Sequence, residues 1–515
     1  MNSLAHTTSI VGARALWFWA GCAAISLGVI LHLPMLAMAH RMGNHLAGMP
    51  MDAGMVLGMA LIIAGVPLAC WGALPTSRAP HGDHAGSAFE APEATPLNRW
   101  HVIVLAVLTL GLVIDVMKPA TLGFVLPGLR REYGLEPSTA ALLPLAALTG
   151  TTVGSFLWGW LADIYGRRVS ILLSTILFAG TSICGAMPSF GWNLAMCFLM
   201  GCSAGGMLPV VYTLLTELMP PRHRSWVLVL VGGTGLIGGY LAASGAAYAL
   251  EPVFGWRSLW LQGFPTGLLL LVLARFIPET PRFLAEQGRT AELAQMGERF
   301  GLVPTPRAHL GAAAPSPASQ RQVTSALVIA ALCWSFVNFG LLLWLPSDLQ
   351  ARGYSAELAS GILASSSFIA LPTIAVAAYA YARLSSKWTL VATILLTLAG
   401  LVGALLPPAL LGWEPLLIAV IATLIIGANG TIALLLPYTA ENYPLGVRGR
   451  ATGLVAGSSK FGGVAVQLAA LAGFVPTLIG AASVLAIPTV LSAAMIAWAG
   501  RETRGRSLRD LEASR

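Results

Sequence analysis

Ionisable residues inside apolar runs are where this sequence could do chemistry. A charge at membrane depth is costly and is kept for a cavity, a partner or a moving ion. Asp115 and Lys118 lie in Ile114-Asp115-Val116-Met117-Lys118-Pro119, three residues apart and so on one face of a helix. Asp115 can be a proton-binding carboxylate with Lys118 as its neighbour, or the two can form a static ion pair that only fixes packing. Lys460 follows Ser458 and Ser459 and precedes Gly462. Its ammonium can hold a substrate carboxylate, or it can snorkel to the membrane surface. Asn338, Asn429 and Gln467 add uncharged polar groups at membrane depth. Each is either a substrate contact or glue between helices. Trp334, with Phe336, Phe339 and Trp344, can line a cavity for a flat ring or anchor the core.

A second group of chemically able residues lies near the start of the chain: His32, Met35, Met38, His40, Met42 and His45, followed by Met49, Met51, Met55 and Met59. Half of the sixteen methionines occur by residue 59. Thioethers and imidazoles suit Cu(I), and a hairpin could gather three or four of them. The alternative is methionine as packing filler in an apolar helix pair. His81 and His84 fall in a later polar linker, on the other side of the membrane in this layout.

The elements that must position these residues follow from composition. Of 515 residues, 56% are hydrophobic and only 10% charged, against about 25% charged in a soluble domain. The chain is a polytopic membrane protein, so its net charge of +8 reports loop arginines and lysines, and no nucleic-acid partner is expected. All six cysteines lie in apolar runs, which argues against a disulfide framework. The first apolar run lacks a small-residue cleavage site and reads as a retained helix. Runs long enough to span a bilayer occur at about 15–39, 53–73, 101–128, 139–162, 169–188, 192–218, 225–249, 257–277, 324–346, 357–381, 388–407, 414–437, 450–474 and 479–499. The expected organisation is a helix pair in 1–75, a linker in 76–100, six helices in 101–277, a polar segment in 278–323, six more helices in 324–500, and a tail in 501–515.

The two sixes read as a duplication. Glu217-x-x-Pro220-x-x-x-Arg224 recurs as Glu441-x-x-Pro444-x-x-x-Arg448, and Gly238-Gly239 as Gly462-Gly463, both at an offset of 224. Glu279-Thr280 recurs as Glu502-Thr503 at an offset of 223. A shared offset implies two six-helix units related by an axis along the membrane normal. The tight loop Gly159-Trp160-Leu161-Ala162-Asp163-Ile164-Tyr165-Gly166-Arg167-Arg168 has a weaker counterpart at Ala382–Lys387, which keeps Arg383 and Lys387 but no acid. Gly166 allows the sharp turn. Glu217, Arg224, Glu279, Arg282, Glu441 and Arg448 sit at helix ends and read as gating or conformational ion pairs. Basic residues concentrate on one face (Arg167, Arg168, Arg222, Arg224, Arg282, Arg289, Arg383, Lys387, Arg448, Arg450, Arg504, Arg506), which places that face and both termini in the cytoplasm. The polar segments hold no phosphate-cradling glycine loop, which argues against direct ATP drive.

The Gly159–Arg168 loop resembles the G-x-L-a-D-r-x-G-r-r loop between the second and third helices of major facilitator transporters. Pro278-Glu279-Thr280-Pro281-Arg282-Phe283-Leu284 resembles the P-E-S-P-R-W-L of sugar porters. Glu502-Thr503-Arg504-Gly505-Arg506-Ser507-Leu508 is similar to their P-E-T-K-G-R-S-L without the leading proline. Their Q-Q-x-x-G is absent from Trp334-Ser335-Phe336-Val337-Asn338-Phe339-Gly340. That segment, and Asp115 followed by Leu122-Gly123-Phe124-Val125-Leu126-Pro127, is more similar to aromatic acid/proton symporters, nicotinate transporters and synaptic-vesicle-like proteins. The arginine of the sugar porters' fourth helix aligns with Phe198, so their acid–arginine pair is absent, and either Lys118 substitutes or the coupling differs. The resemblance implies an all-α major facilitator fold with an added N-terminal pair. It also implies alternating access and proton-coupled symport of a small organic acid by a monomeric inner-membrane transporter without catalytic residues. The alternatives are sugar-like or copper transport, or a sensor built on a transporter core.

Overall fold

The computed structural model describes residues 13–74, 87–90, 92, 95–306, 317–443 and 445–504, with backbone alone at 13, 87–90, 304–306, 317–319 and 445–449. His81, His84, Arg506 and the Arg448 side chain lie outside the described residues. Fourteen helical spans among the described residues are long and apolar enough to cross a bilayer. Spans 1 and 2 are Arg14–Arg41 and Ala53–Ala73. Spans 3 to 8 are Arg99–Tyr133, Pro137–Tyr165, Arg167–Ala186, Phe190–Leu218, Pro221–Phe254 and Ser258–Phe276. Spans 9 to 14 are Gln320–Ala351, Ala356–Arg383, Ser386–Gly403, Glu414–Glu441, Arg450–Leu471 and Leu478–Ala499. Spans 3–8 pack together as one half and spans 9–14 as the other, and the halves meet chiefly along span 7 against spans 10 and 12, and span 4 against span 13.

A carboxylate clamp is built twice, once per half. The N-terminus of a helix leaves backbone N–H groups without partners, and an anion there satisfies them. Glu279 accepts from the Arg167 and Arg168 N–H groups at 2.7 and 3.2 Å, which closes the start of span 5. Glu502 accepts from the Ser386 N–H at 2.9 Å and from the hydroxyls of Ser386 and Ser385, which closes the start of span 11. The second half thus adds two serine hydroxyls to the backbone donor of its clamp. Glu279 is buried, and burial raises its carboxyl despite the backbone donors. Burial also acts on Glu502, but hydrogen bonds from Ser385 and Ser386 outweigh it and hold its carboxyl down at about 2. The neighbouring acids repeat as well. Glu217 accepts from the Arg282 N–H at 3.3 Å, and Glu441 accepts from the Thr503 hydroxyl at 2.6 Å. Asp163 pairs with Arg167 at 3.3 Å and is largely exposed. Arg224 donates to the Met219 carbonyl at 3.4 Å, and Arg282 pairs with Glu286 at 2.9 Å.

The added pair is held by interleaved glycines. Gly21 and Gly28 on span 1 meet Gly58, Gly65 and Gly72 on span 2 so closely that a Cβ at any of them would lie under 3.0 Å from the neighbouring helix. Such a small-residue stripe lets helix backbones approach closely in lipid. The pair docks on the N-terminal half, with Ile62 and Val66 against Gly180 of span 5. Its connecting loop is fastened by Glu132, the last acid of span 3, which accepts from the Leu46 and Ala47 N–H groups at 2.7 and 2.8 Å. Arg257 and the Trp256 indole donate to the same carboxylate.

One feature departs from pure helix. The linker strand β1 (Ser87–Glu90) pairs antiparallel with β2 (Val303–Pro306) of the segment between the halves. Asn98 donates to the Arg299 carbonyl at 2.7 Å and caps span 3, so the linker is tied to that segment at two points.

Gly166 adopts φ 98° and ψ 161°, a region essentially reserved for glycine. A Cβ there would lie 2.2 Å from a Glu279 oxygen. Gly166→Ala is expected to cost about 1–3 kcal/mol and to lower the thermal midpoint by several degrees. Gly159→Ala, which meets nothing within 4 Å, should leave the midpoint unchanged in the same melting experiment. The depressed Glu502 carboxyl contributes stability fully above its ordinary value of 4.5 and loses it as pH falls toward about 2. Melting curves between those pH values should therefore be less acid-sensitive for Glu502→Gln than for wild type.

Candidate functional site

Asp115 sits sixteen residues into a 35-residue helix, so about 25 Å of helix extends on either side of it. Its carboxylate is buried and lies 3.6 Å from the Lys118 ammonium. Lys118 is itself buried, with its nitrogen 3.4 Å from the centroid of the Phe178 ring on span 5, a cation–π contact strengthened by desolvation. The second cation acting on Asp115 is Lys460, from span 13 of the opposite half. Lys460 is fifteen residues from the start of its helix, Leu445–Leu471, and eleven from its end, about 22 and 16 Å. That is mid-depth, so the surface-snorkelling reading does not describe it. Lys460 acts on Asp115 through its charge across the boundary between the halves, while the close ion pair of Asp115 among the described residues is with Lys118.

Span 9 passes beside this site as a widened helix. Residues Phe336–Leu342 form a π-helical turn, a feature that frequently marks functional sites. Side chains hold its displaced carbonyls: Gln467 donates to Phe339 O at 2.7 Å, and Tyr240 from the other half donates to Leu342 O at 3.3 Å. Gln467 also accepts from the Trp344 indole at 3.2 Å and is fully buried. Of the two readings of Gln467, the geometry is that of glue. Ser335 in the preceding turn donates to the Ser459 carbonyl next to Lys460. Asn338 lies inside the widened turn and is half-buried, and among the described residues its side-chain amide has no hydrogen-bond partner. Asn429 bonds its own helix, donating to Ile425 O at 3.1 Å. Trp334 stacks edge-on against Phe339 and lines a narrow cavity inside the C-terminal half with Ile394, Thr397 and Thr431.

The halves touch on both sides of the charge trio. Toward the face opposite the arginines, a Cβ on Gly123 would lie 2.6 Å from Leu343 O. Toward the arginine-rich face, Ser225 donates to Glu441 at 2.9 Å, and Tyr381 donates to the same carboxylate at 2.8 Å. Glu441 is thus the acid that joins the halves, while Glu217 binds within its own. Ser225 and Tyr381 were not singled out in the sequence, because a hydroxyl at a helix end has no distinctive pattern.

The histidine–methionine group is dispersed. His32 is fully buried, donating from Nδ1 to Gly28 O at 2.7 Å, with its ring packed on Gly58. Met35 is buried, whereas Met38 and Met42 are exposed. His40 bonds Asn44 at 3.1 Å, and His45 lies 3.9 Å from Glu132. Among the described residues, no three His, Cys, Asp or Glu side chains converge as a metal site would require.

Residues 103–467 match the Major Facilitator Superfamily. The chain belongs to that superfamily. It is 28% identical to the niacin transporter of Acinetobacter baylyi, with 81% of this chain and 98% of that protein covered. It is 29% identical to the 4-hydroxybenzoate transporter of Pseudomonas putida, covering 72% and 85% respectively. Among solved structures, the xylose transporter XylE from E. coli shares the fold at a TM-score of 0.61 and 18% identity, over 80% of this chain and all of that one. The protein is a multi-pass membrane transporter of small molecules, working by secondary transport, and not an enzyme. The superfamily match begins after spans 1 and 2, so the glycine-stitched pair is an addition to the twelve-helix facilitator fold.

The roles of Gln467 and Asn338 separate experimentally. Gln467→Leu strands the Trp344 indole and a π-turn carbonyl, and is expected to cost about 1–3 kcal/mol per unmet buried group, read as a lower thermal midpoint. Asn338→Ala removes no hydrogen bond and should shift the midpoint by less than about 0.5 kcal/mol equivalent. An equal loss in both variants would contradict this assignment.

Proposed function

We propose that the protein is a proton-coupled symporter of a small organic acid, with the arginine-rich face cytoplasmic and the chain in the inner membrane. The single observation that carries the reading is the mid-depth trio of Asp115, Lys118 and Lys460. Two ammonium groups and one carboxylate leave one positive charge over. An entering carboxylate must compete with Asp115 for those cations. A proton on Asp115 removes the competitor and frees a lysine for the substrate. Binding one proton together with one anion leaves the net charge of the site as it was, so the loaded carrier reorients at no greater electrostatic cost than the empty one. Lys460 is our choice for the substrate carboxylate, because it comes from the half that Asp115 does not. The unpartnered Asn338 amide on the adjoining π-turn is our choice for orienting the substrate. The names of the niacin and 4-hydroxybenzoate relatives support an aromatic carboxylate as the class to test first.

Alternation follows as a rocking of the halves about this site. Gly123 against Leu343 forms the contact that parts on one side, and Ser225 with Glu441 the contact that parts on the other.

In proteoliposomes, uptake of labelled nicotinate or 4-hydroxybenzoate should rise with an inward-directed proton gradient. Asp115→Asn should abolish the gradient-driven component by tenfold or more and leave exchange of internal for external substrate intact. Gradient-driven uptake that persists in Asp115→Asn contradicts proton coupling through this residue. Uptake of neither acid by wild type contradicts the substrate class.

A further inference from the structure

A second cavity lies where the halves meet at the face opposite the arginines. It has a volume of about 320 Å³ and is lined by Arg131, Glu251, Trp256, Ser355 and Glu357, with Pro252, Gly255 and Ala356 completing it. Arg131 belongs to the end of span 3, Glu251 to the end of span 7, and Ser355 and Glu357 to the start of span 10. The first two come from the N-terminal half and the last two from the C-terminal half. An occupant therefore touches both.

Glu251 is the unusual member. It is only 9% exposed, and its Oε2 atom is buried with no hydrogen-bond partner among the described residues. A buried polar atom left without a partner is rare and needs an explanation. The charged lining is two carboxylates, Glu251 and Glu357, and one guanidinium, Arg131, so the cavity is short of one positive charge. An anion would meet excess negative charge, and a neutral occupant would leave that deficit unfilled. A bare metal ion fits poorly, because the described residues hold no cluster of three His, Cys, Asp or Glu ligands and the volume is about ten times that of a water molecule. The volume is instead at the lower end of the range for small-molecule sites. Trp256 lines the cavity as well, but its ring already carries the Arg257 guanidinium, 4.5 Å from the centroid, so the case for a cation rests on the carboxylates.

We propose that this cavity binds a small organic monocation, with its nitrogen on Glu251 and Glu357, and that an occupant bridging the halves holds this face of the transporter closed. The site is separate from the Asp115–Lys118–Lys460 trio and does not depend on the identity of the transported acid. A ligand that binds only the closed arrangement shifts the population toward it by its differential affinity.

Choline chloride is a suitable probe, with equal concentrations of sodium chloride as the ionic-strength control. Thermal unfolding of the purified full chain should show a concentration-dependent rise of a few degrees with choline, by mass action on the folded state. Glu251→Gln, close to isosteric, should melt like wild type without choline and lose the rise. Glu357→Gln, at an exposed position, provides a second variant that leaves the buried lining intact and should lessen the rise. Asp115→Asn should keep it in full. No rise beyond the sodium chloride control overturns the proposal, as does an undiminished rise in Glu251→Gln. Loss of the rise in Asp115→Asn would place choline in the transport site and also overturn it. The response to 4-hydroxybenzoate in the same assay reports on the organic-acid reading independently.

Discussion

An ammonium group cannot sit at the middle of a bilayer without a counter-charge. Placing a charged residue at the centre of a span costs about 3 kcal/mol even on insertion-based scales. Here two lysines and one aspartate occupy that depth. Much of the surrounding structure serves that constraint. Lys118 is covered by Phe178, Asp115 is buried against its own helix partner, and the charge of Lys460 acts on it from the other half. The arrangement makes the two halves electrostatically dependent on each other. In the proposed symport it also lets a bound proton and a bound anion act as a matched pair.

Close helix approach is the means by which the charges are held. In lipid there is little hydrophobic gain in bringing helices together, so packing and hydrogen bonds decide. Gly123 and Gly233 each bring the two halves within a distance that a Cβ would not fit. The π-turn in span 9 is kept open by Gln467 on one side and Tyr240 on the other, one from each half. At the arginine-rich face, Glu441 gathers hydroxyls of Ser225, Tyr381 and Thr503, while the duplicated clamps Glu279 and Glu502 close helix starts within single halves. At the arginine-rich face the halves are thus joined through the Ser225 hydroxyl on Glu441, and elsewhere by close glycine approaches, contacts that can part.

Span number and the duplicated halves could be read from apolar run length and from the 224-residue offsets, because bilayer thickness and gene duplication both leave linear marks. The acid–lysine pair was equally legible, since a three-residue separation on a helix sets the distance between side chains. That the charge of Lys460 acts on Asp115 was not, because the two residues are 345 positions apart and are related only by how the halves dock. Gln467 and Asn338 look alike in sequence, and only the π-turn separates glue from an open amide. The histidine–methionine group shows how residue type and placement can differ. Residue type suggested one site, but helix geometry buries His32 against Gly58 and leaves Met38 and Met42 outside. The seven-residue glycine spacing at 21 and 28 and at 58, 65 and 72 was the informative signal in that region, and it speaks of packing. The β1–β2 ribbon had no alternating pattern to announce it.

The central claim is that one proton and one carboxylate bind together at the trio. Calorimetric titration of 4-hydroxybenzoate into the purified protein, in buffers of different ionisation enthalpy at neutral pH, counts the protons taken up per ligand. The account predicts close to one proton taken up by wild type and none by Asp115→Asn. Binding without proton uptake in wild type, or undiminished uptake in Asp115→Asn, would contradict it.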